Sequence, residues 1–211
     1  MTLSGSRRHV PIAVAAAVAL VVGLGATLGV NALLSRSAPR PSTTPVSAQY
    51  LPSLVRQSEP APDFTLPDQA GTEISLSALR GKTVLMTFMD PQCTNLCPIV
   101  GQEIAKVEAA LPATVVPVLL IVSVAPDRSA ADVRTFTSHV TWRPGWHWLL
   151  GDQAQLQAVW VTYHISVQPS PTDVAHDETL YVIDAQGRIA AGYNAPLPTA
   201  EVASTITKSS R

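Results

Sequence analysis

Cys93 and Cys97 are the two cysteines of the 211-residue chain. They stand four residues apart in Asp90–Pro91–Gln92–Cys93–Thr94–Asn95–Leu96–Cys97–Pro98. The apolar run Val84–Phe88 precedes this segment, and a helical pattern with Ile104, Val107 and Leu111 on one face follows it. The spacing therefore places the pair between a buried strand and the start of a helix. Unpaired N–H groups and the helix dipole favour negative charge there, so thiolate is favoured over thiol. Within a helical turn a four-residue spacing puts both sulfurs on one face, where they can close a disulfide or chelate one ion. Cys-x-x-x-Cys is one residue longer than a Cys-x-x-Cys dithiol. The wider bite favours chelation over rapid exchange. A plain stabilising disulfide is the bland alternative, and so short a loop would give it little entropic leverage.

Two thiolates leave most metal sites incomplete, so a histidine is sought. Of His9, His139, His147, His164 and His176, the first precedes the long apolar run. His139 and His164 fall at expected helix ends, and His147 lies in the apolar stretch Gly145–Trp146–His147–Trp148. His176 differs. It lies in the polar segment Pro169–Glu178, just before the strand-like Thr179–Ile183, with Asp173 and Asp177 available to orient its ring.

The elements that must position these residues are legible as well. Phe64–Leu66 and Ile74–Leu76 read as short strands about a turn, and Val84–Phe88 and Val115–Val124 as buried strands. Helices are expected over Pro98–Leu111, from a Ser129 cap to Val140, from an Asp152 cap with Gln155 to Tyr163, and over Thr199–Thr207. Thr179–Ile183 and Arg188–Tyr193 form a hairpin pattern. Strands alternating with helices imply a layered α/β domain.

Ahead of this domain, Val10–Leu34 is an uncharged run of 25 residues. As a helix it would reach about 37 Å, enough to cross a membrane. Its length exceeds the roughly 7–15 residues of a cleaved signal core. No cysteine lies near it to carry a lipid. Arg7 and Arg8 place residues 1–9 in the cytoplasm, so a single-pass membrane anchor at 10–34 is expected. Six of the 18 prolines then cluster from Pro39 to Pro62, making 35–61 an extended linker. The folded domain is expected over 62–208, on the extracytoplasmic side, where disulfides persist. A net charge of −1 gives no basic field, so no nucleic-acid partner is expected.

Together these segments resemble the Sco/SenC family of membrane-anchored, thioredoxin-like copper-binding proteins. The resemblance rests on Ala61–Leu66, Leu79–Lys82, Cys93 and Cys97 followed by Pro98, Ser123–Arg128, and His176 before Thr179–Asp184. It covers about residues 60–208. The chain departs from the family at Ala125, where an aspartate is usual, at Thr94–Asn95–Leu96, and at Met89–Gln92. The resemblance implies a thioredoxin-like fold with a central mixed sheet flanked by helices. It also implies one copper, as Cu(I) or Cu(II), on Cys93, Cys97 and His176. The copper would be delivered to an acceptor such as a cytochrome c oxidase subunit. Two thiolates and an imidazole suit a thiophilic ion. The other function carried by the same residues is thiol–disulfide exchange, with Cys93 attacking and Cys97 resolving. Peroxide reduction needs an activating arginine, and the cysteine loop contains none.

Overall fold

A computed structural model describes residues 59–170 and 174–211. The expected anchor at 10–34 and nearly all of the linker lie outside the described residues. Among the described residues no helix is long and apolar enough to cross a membrane.

The described chain runs β1 (Thr65–Pro67), β2 (Glu73–Ser75), a 3-10 turn (Ser77–Leu79), β3 (Val84–Met89), α1 (Leu96–Ala110), β4 (Val118–Ser123) and α2 (Ala130–Thr137). It continues with β5 (Trp146–Leu149), α3 (Gln153–Thr162), β6 (Val167–Pro169), β7 (Val174–His176), β8 (Thr179–Ile183), β9 (Ile189–Asn194) and α4 (Thr199–Ser209). A five-stranded mixed sheet in the order β5-β4-β3-β8-β9 forms the centre. β3, β4 and β5 are parallel, whereas β8 runs antiparallel to both β3 and β9. β1 with β2, and β6 with β7, form separate two-stranded ribbons.

β3 and β4 are buried at every position, as their unbroken apolar runs require of strands covered on both faces. One face carries Leu85, Leu119, Ile121 and Trp148 against Ile104 and Val107 of α1 and Val202 and Ile206 of α4. The other carries Met86, Phe88, Leu120 and Val122 against Leu156 and Trp160 of α3. The α/β layering with a mixed sheet and flanking helices is thus the expected one.

Both caps read from the sequence are present as reciprocal capping boxes, Ser129 with Asp132 and Asp152 with Gln155. Two elements were not anticipated. The stretch around His147 forms β5, an edge strand in register with β4 (Ile121 opposite Trp148), and His147 Nδ1 sits 2.9 Å from the buried Asp68 carboxylate. The segment before His176 is a ribbon rather than a loop, with Val167 opposite His176.

Candidate metal and thiol site

The sheet order explains why residues 79 positions apart meet. β3 delivers the cysteine segment at its C-terminal end. β8, antiparallel to β3 with Thr87 opposite Leu180, begins at that same end. The Thr87 hydroxyl donates to the Thr179 carbonyl at 3.1 Å and ties the two strands where the site forms. His176 and Glu178, immediately before β8, are thereby held against the start of α1. The Ala195 N–H donates to the Glu178 carbonyl at 3.0 Å and fixes that backbone from the β9 side.

α1 begins at Leu96, two residues earlier than the sequence suggests, and Asn95 at its N-cap makes no side-chain cap. The Cys93 sulfur takes over that role. It lies ahead of the helix and accepts from the backbone N–H groups of Asn95, Leu96 and Cys97. It also accepts the Cys97 thiol proton, and this is the largest of the effects that pull the Cys93 pKa down to about 5 against its partial burial. Cys97, inside the first helical turn, is fully buried. Its proton donation to Cys93, its burial and the nearby Glu178 carboxylate all push its pKa upward. Neither cysteine is in a disulfide. The pair is therefore asymmetric: a half-exposed sulfur that carries the charge, and a buried one that holds the proton.

Carboxymethylation with iodoacetate should read this directly. The Cys93 rate should rise with pH through about 5 and level off above it, as expected of a thiolate nucleophile. Cys97→Ala removes the strongest proton donor and should move the midpoint upward. A midpoint near that of a free thiol in the native chain would contradict the geometry.

On the other side of Cys97, its Sγ lies 3.6 Å from His176 Nε2 and 4.0 Å from Glu178 Oε1, and these two atoms are 3.4 Å apart. The His176 side chain is only 3% exposed and that of Glu178 13%. Ring atom Nδ1 faces the Asp177 carbonyl at 3.2 Å. A proton on Nδ1 leaves the Nε2 lone pair pointing at sulfur, the arrangement a metal-ligating imidazole needs. The orienting group is thus the backbone of Asp177. Its carboxylate instead accepts from the Ser166 N–H, and Asp173 is outside the described residues.

The separations can be tested against those of one bound ion. Bond lengths of about 2.3 Å to sulfur and about 2.0–2.1 Å to nitrogen or oxygen, at tetrahedral angles, put sulfur and nitrogen roughly 3.5 Å apart and nitrogen and oxygen roughly 3.4 Å apart. Cys97, His176 and Glu178 meet those spacings within a few tenths of an ångström for Cys97 to Glu178 and more closely for the other two pairs. The Cys93 sulfur stands outside this three-atom group, whose members lie within 4.8 Å of one another, and is linked to it through its hydrogen bond with Cys97.

Glu178 was not singled out in the sequence, because a carboxylate in an acidic stretch reads as solvated. Burial pushes its pKa to about 7, and Cys93 adds to the rise. Arg128 is a second addition. Although 38 positions from Asp90, it makes a paired contact with that buried carboxylate at 2.7 and 2.8 Å. The guanidinium is committed to Asp90, so the arginine missing from the cysteine loop is not supplied in free form from here.

Around the site, Leu96 is 42% and Ile99 53% exposed. A groove of about 520 Å³ lies beside Cys93, lined by Thr94, Pro98, Phe136, His139 and Val140 among others. His139 and His164 are both exposed, and His164 follows the Tyr163 C-cap of α3 with a positive φ of 56°.

Comparison with known proteins agrees with this construction. The fold matches ScoI of Bradyrhizobium japonicum, solved with copper bound, at 25% identity and a TM-score of 0.62, over 72% of this chain and 99% of that one. Yeast Sco1 with copper bound matches at 19% identity and a TM-score of 0.61, over 72% of this chain and 87% of that one. BsSco is a member of the Sco family of cytochrome c oxidase assembly proteins in which a disulfide switch is described. It matches at 20% identity and a TM-score of 0.65, over 72% and 94%. No curated protein sequence matches the chain. The SCO1/SenC family model matches residues 54–211, which takes in every described element, the cysteine pair and His176, and the chain belongs to that family.

Proposed function

We propose that the protein is an extracytoplasmic copper chaperone, held to the membrane through residues 10–34. It carries one copper on Cys93, Cys97 and His176 for delivery to a respiratory oxidase copper centre. The observation that carries the reading is the 3.6 Å approach of His176 Nε2 to Cys97 Sγ across 79 residues of chain. A dithiol used only for redox exchange has no need of a buried imidazole with its lone pair on the resolving sulfur. Two thiolates and one imidazole make a trigonal set suited to Cu(I). Copper enters as cargo. The half-exposed Cys93 is the ligand an incoming acceptor thiolate can displace first, and the exposed Leu96 and Ile99 beside it offer apolar contact during transfer.

The reading is tested by titrating Cu(I) into the reduced full chain against a competing chelator. One tight equivalent is expected, weakened about 100–1,000-fold in His176→Ala, the loss expected of one ligand. No tight binding, or binding indifferent to His176, would exclude it.

The asymmetry of the thiols favours a second reading, a thiol–disulfide oxidoreductase. Cys93 would attack an acceptor disulfide, and Cys97 would resolve the mixed disulfide, reducing the acceptor as this pair is oxidised. That activity should survive His176→Ala, whereas the chaperone's affinity should not.

A further inference from the structure

We infer that Glu178 is a fourth ligand of the same site and sets its preference between the two oxidation states of copper, holding Cu(II) far better than the three-residue set alone. This rests on the copper reading above and adds to it a residue and a selectivity.

The geometry comes first. Glu178 Oε1 is 3.4 Å from His176 Nε2, longer than the roughly 2.7–3.2 Å of an ordinary N–H···O hydrogen bond, and 4.0 Å from Cys97 Sγ. These are separations between ligands of one ion, as derived above, rather than those of a carboxylate locking a histidine ring. The ring is already oriented from its far side, through Nδ1 and the Asp177 carbonyl. The other carboxyl oxygen, Oε2, is buried without a hydrogen-bond partner. Leaving such an atom unsatisfied costs on the order of 1–3 kcal/mol. A carboxyl kept in that state beside two thiols and an imidazole is unexplained by packing and explained by coordination.

Chemistry then decides which oxidation state benefits. Carboxylate oxygen is a hard donor, matched to Cu(II) and poorly matched to Cu(I), which is satisfied by thiolates and imidazole. Charge works in the same direction. Two thiolates and one carboxylate carry −3, so Cu(I) leaves the cluster at −2 and Cu(II) at −1. In a partly buried site the more highly charged cluster is penalised more strongly. The carboxylate therefore strengthens the hold on Cu(II) and gives little to Cu(I).

The experiment uses the reduced full chain in mild detergent under anaerobic conditions, with Glu178→Gln and Glu178→Leu alongside. Gln keeps the shape and Leu fills the space without a donor. Cu(I) and Cu(II) are titrated separately against competing chelators. The Cu(II) forms are recorded by electron paramagnetic resonance and by thiolate-to-copper charge-transfer absorption. Both variants should lose about 100-fold or more in Cu(II) affinity, as for one ligand, shift both spectra, and change Cu(I) affinity by less than about threefold.

Unchanged Cu(II) affinity and spectra would overturn the inference, as would equal losses for both ions. So would prompt disappearance of the Cu(II) signal in the native chain, with the two thiols giving up two electrons and two protons to reduce two Cu(II) and close a disulfide. Native protein that binds neither ion would instead overturn the copper reading itself. Cu(I) binding that depends on His176 with no role for Glu178 would leave that reading standing and remove only this one.

Discussion

Cys97→Ser is expected to abolish tight copper binding, and Cys93→Ser to do the same. Cys97 should show the larger loss because it is the hinge of the cluster. It touches Cys93 on one side and His176 and Glu178 on the other. Four-ligand zinc sites bind with about 10–16 kcal/mol, roughly 2.5–4 kcal/mol per ligand. That converts to a loss of about 100–1,000-fold for one sulfur. Cys97 goes to the upper end, since it contacts His176 and Glu178 as well as Cys93. Competitive Cu(I) titration of native and variant chains measures this, with thermal denaturation to show that the fold survives. Full affinity in either serine variant would dismantle the site.

Asp90→Ala is expected to destabilise the fold by about 2–4 kcal/mol, because it leaves one member of a paired, buried contact without its partner. The figure sits below the largest losses of this kind because the Arg128 side chain retains 18% of its exposure and can recruit water. More than an ion pair is lost, because Asp90 Oδ1 also accepts the Gln92 N–H. The Asp90 backbone, whose carbonyl accepts the Cys93 N–H and whose N–H points at the Cys97 sulfur, remains in the variant. Asp90→Asn keeps the acceptor and removes the charge, so it should fall between alanine and the native chain. The Asp90→Ala, Arg128→Ala double variant should be less destabilised than the sum of its parts. Urea denaturation supplies these numbers. A change under about 0.5 kcal/mol for Asp90→Ala would show that the pair contributes nothing.

What the sequence made legible follows the range of the forces involved. Capping is local, so Ser129 and Asp152 announced the starts of α2 and α3. Burial on both faces leaves an unbroken apolar run, so β3 and β4 could be read as strands. β5 could not, because Trp146–Leu149 is four residues long and gains its identity from register with β4. The β6–β7 ribbon is stabilised by its own pairing, and its alternation is interrupted by prolines and acidic residues. Within the site, Cys93, Cys97 and His176 stood out because their side chains are uncommon and chemically suggestive. Glu178 and Arg128 are common residues in polar stretches. What marks them is burial and a distant partner, which arise only once β8 lies against β3 and Arg128 is brought to Asp90.

The antiparallel seam between β3 and β8 makes occupancy of the site a test of folding. An unfolded chain still carries two sulfurs four residues apart, but the imidazole is then 79 residues away along a flexible polymer. Bringing it in must overcome the entropy of closing that loop. Folding makes that closure once, through sheet pairing, and every ion bound afterward stabilises the folded state in proportion to the logarithm of its concentration, about 4 kcal/mol at a thousandfold excess over Kd. A chain with a misregistered β8 would keep its dithiol but lose the imidazole and the carboxylate that the sheet pairing brings to it.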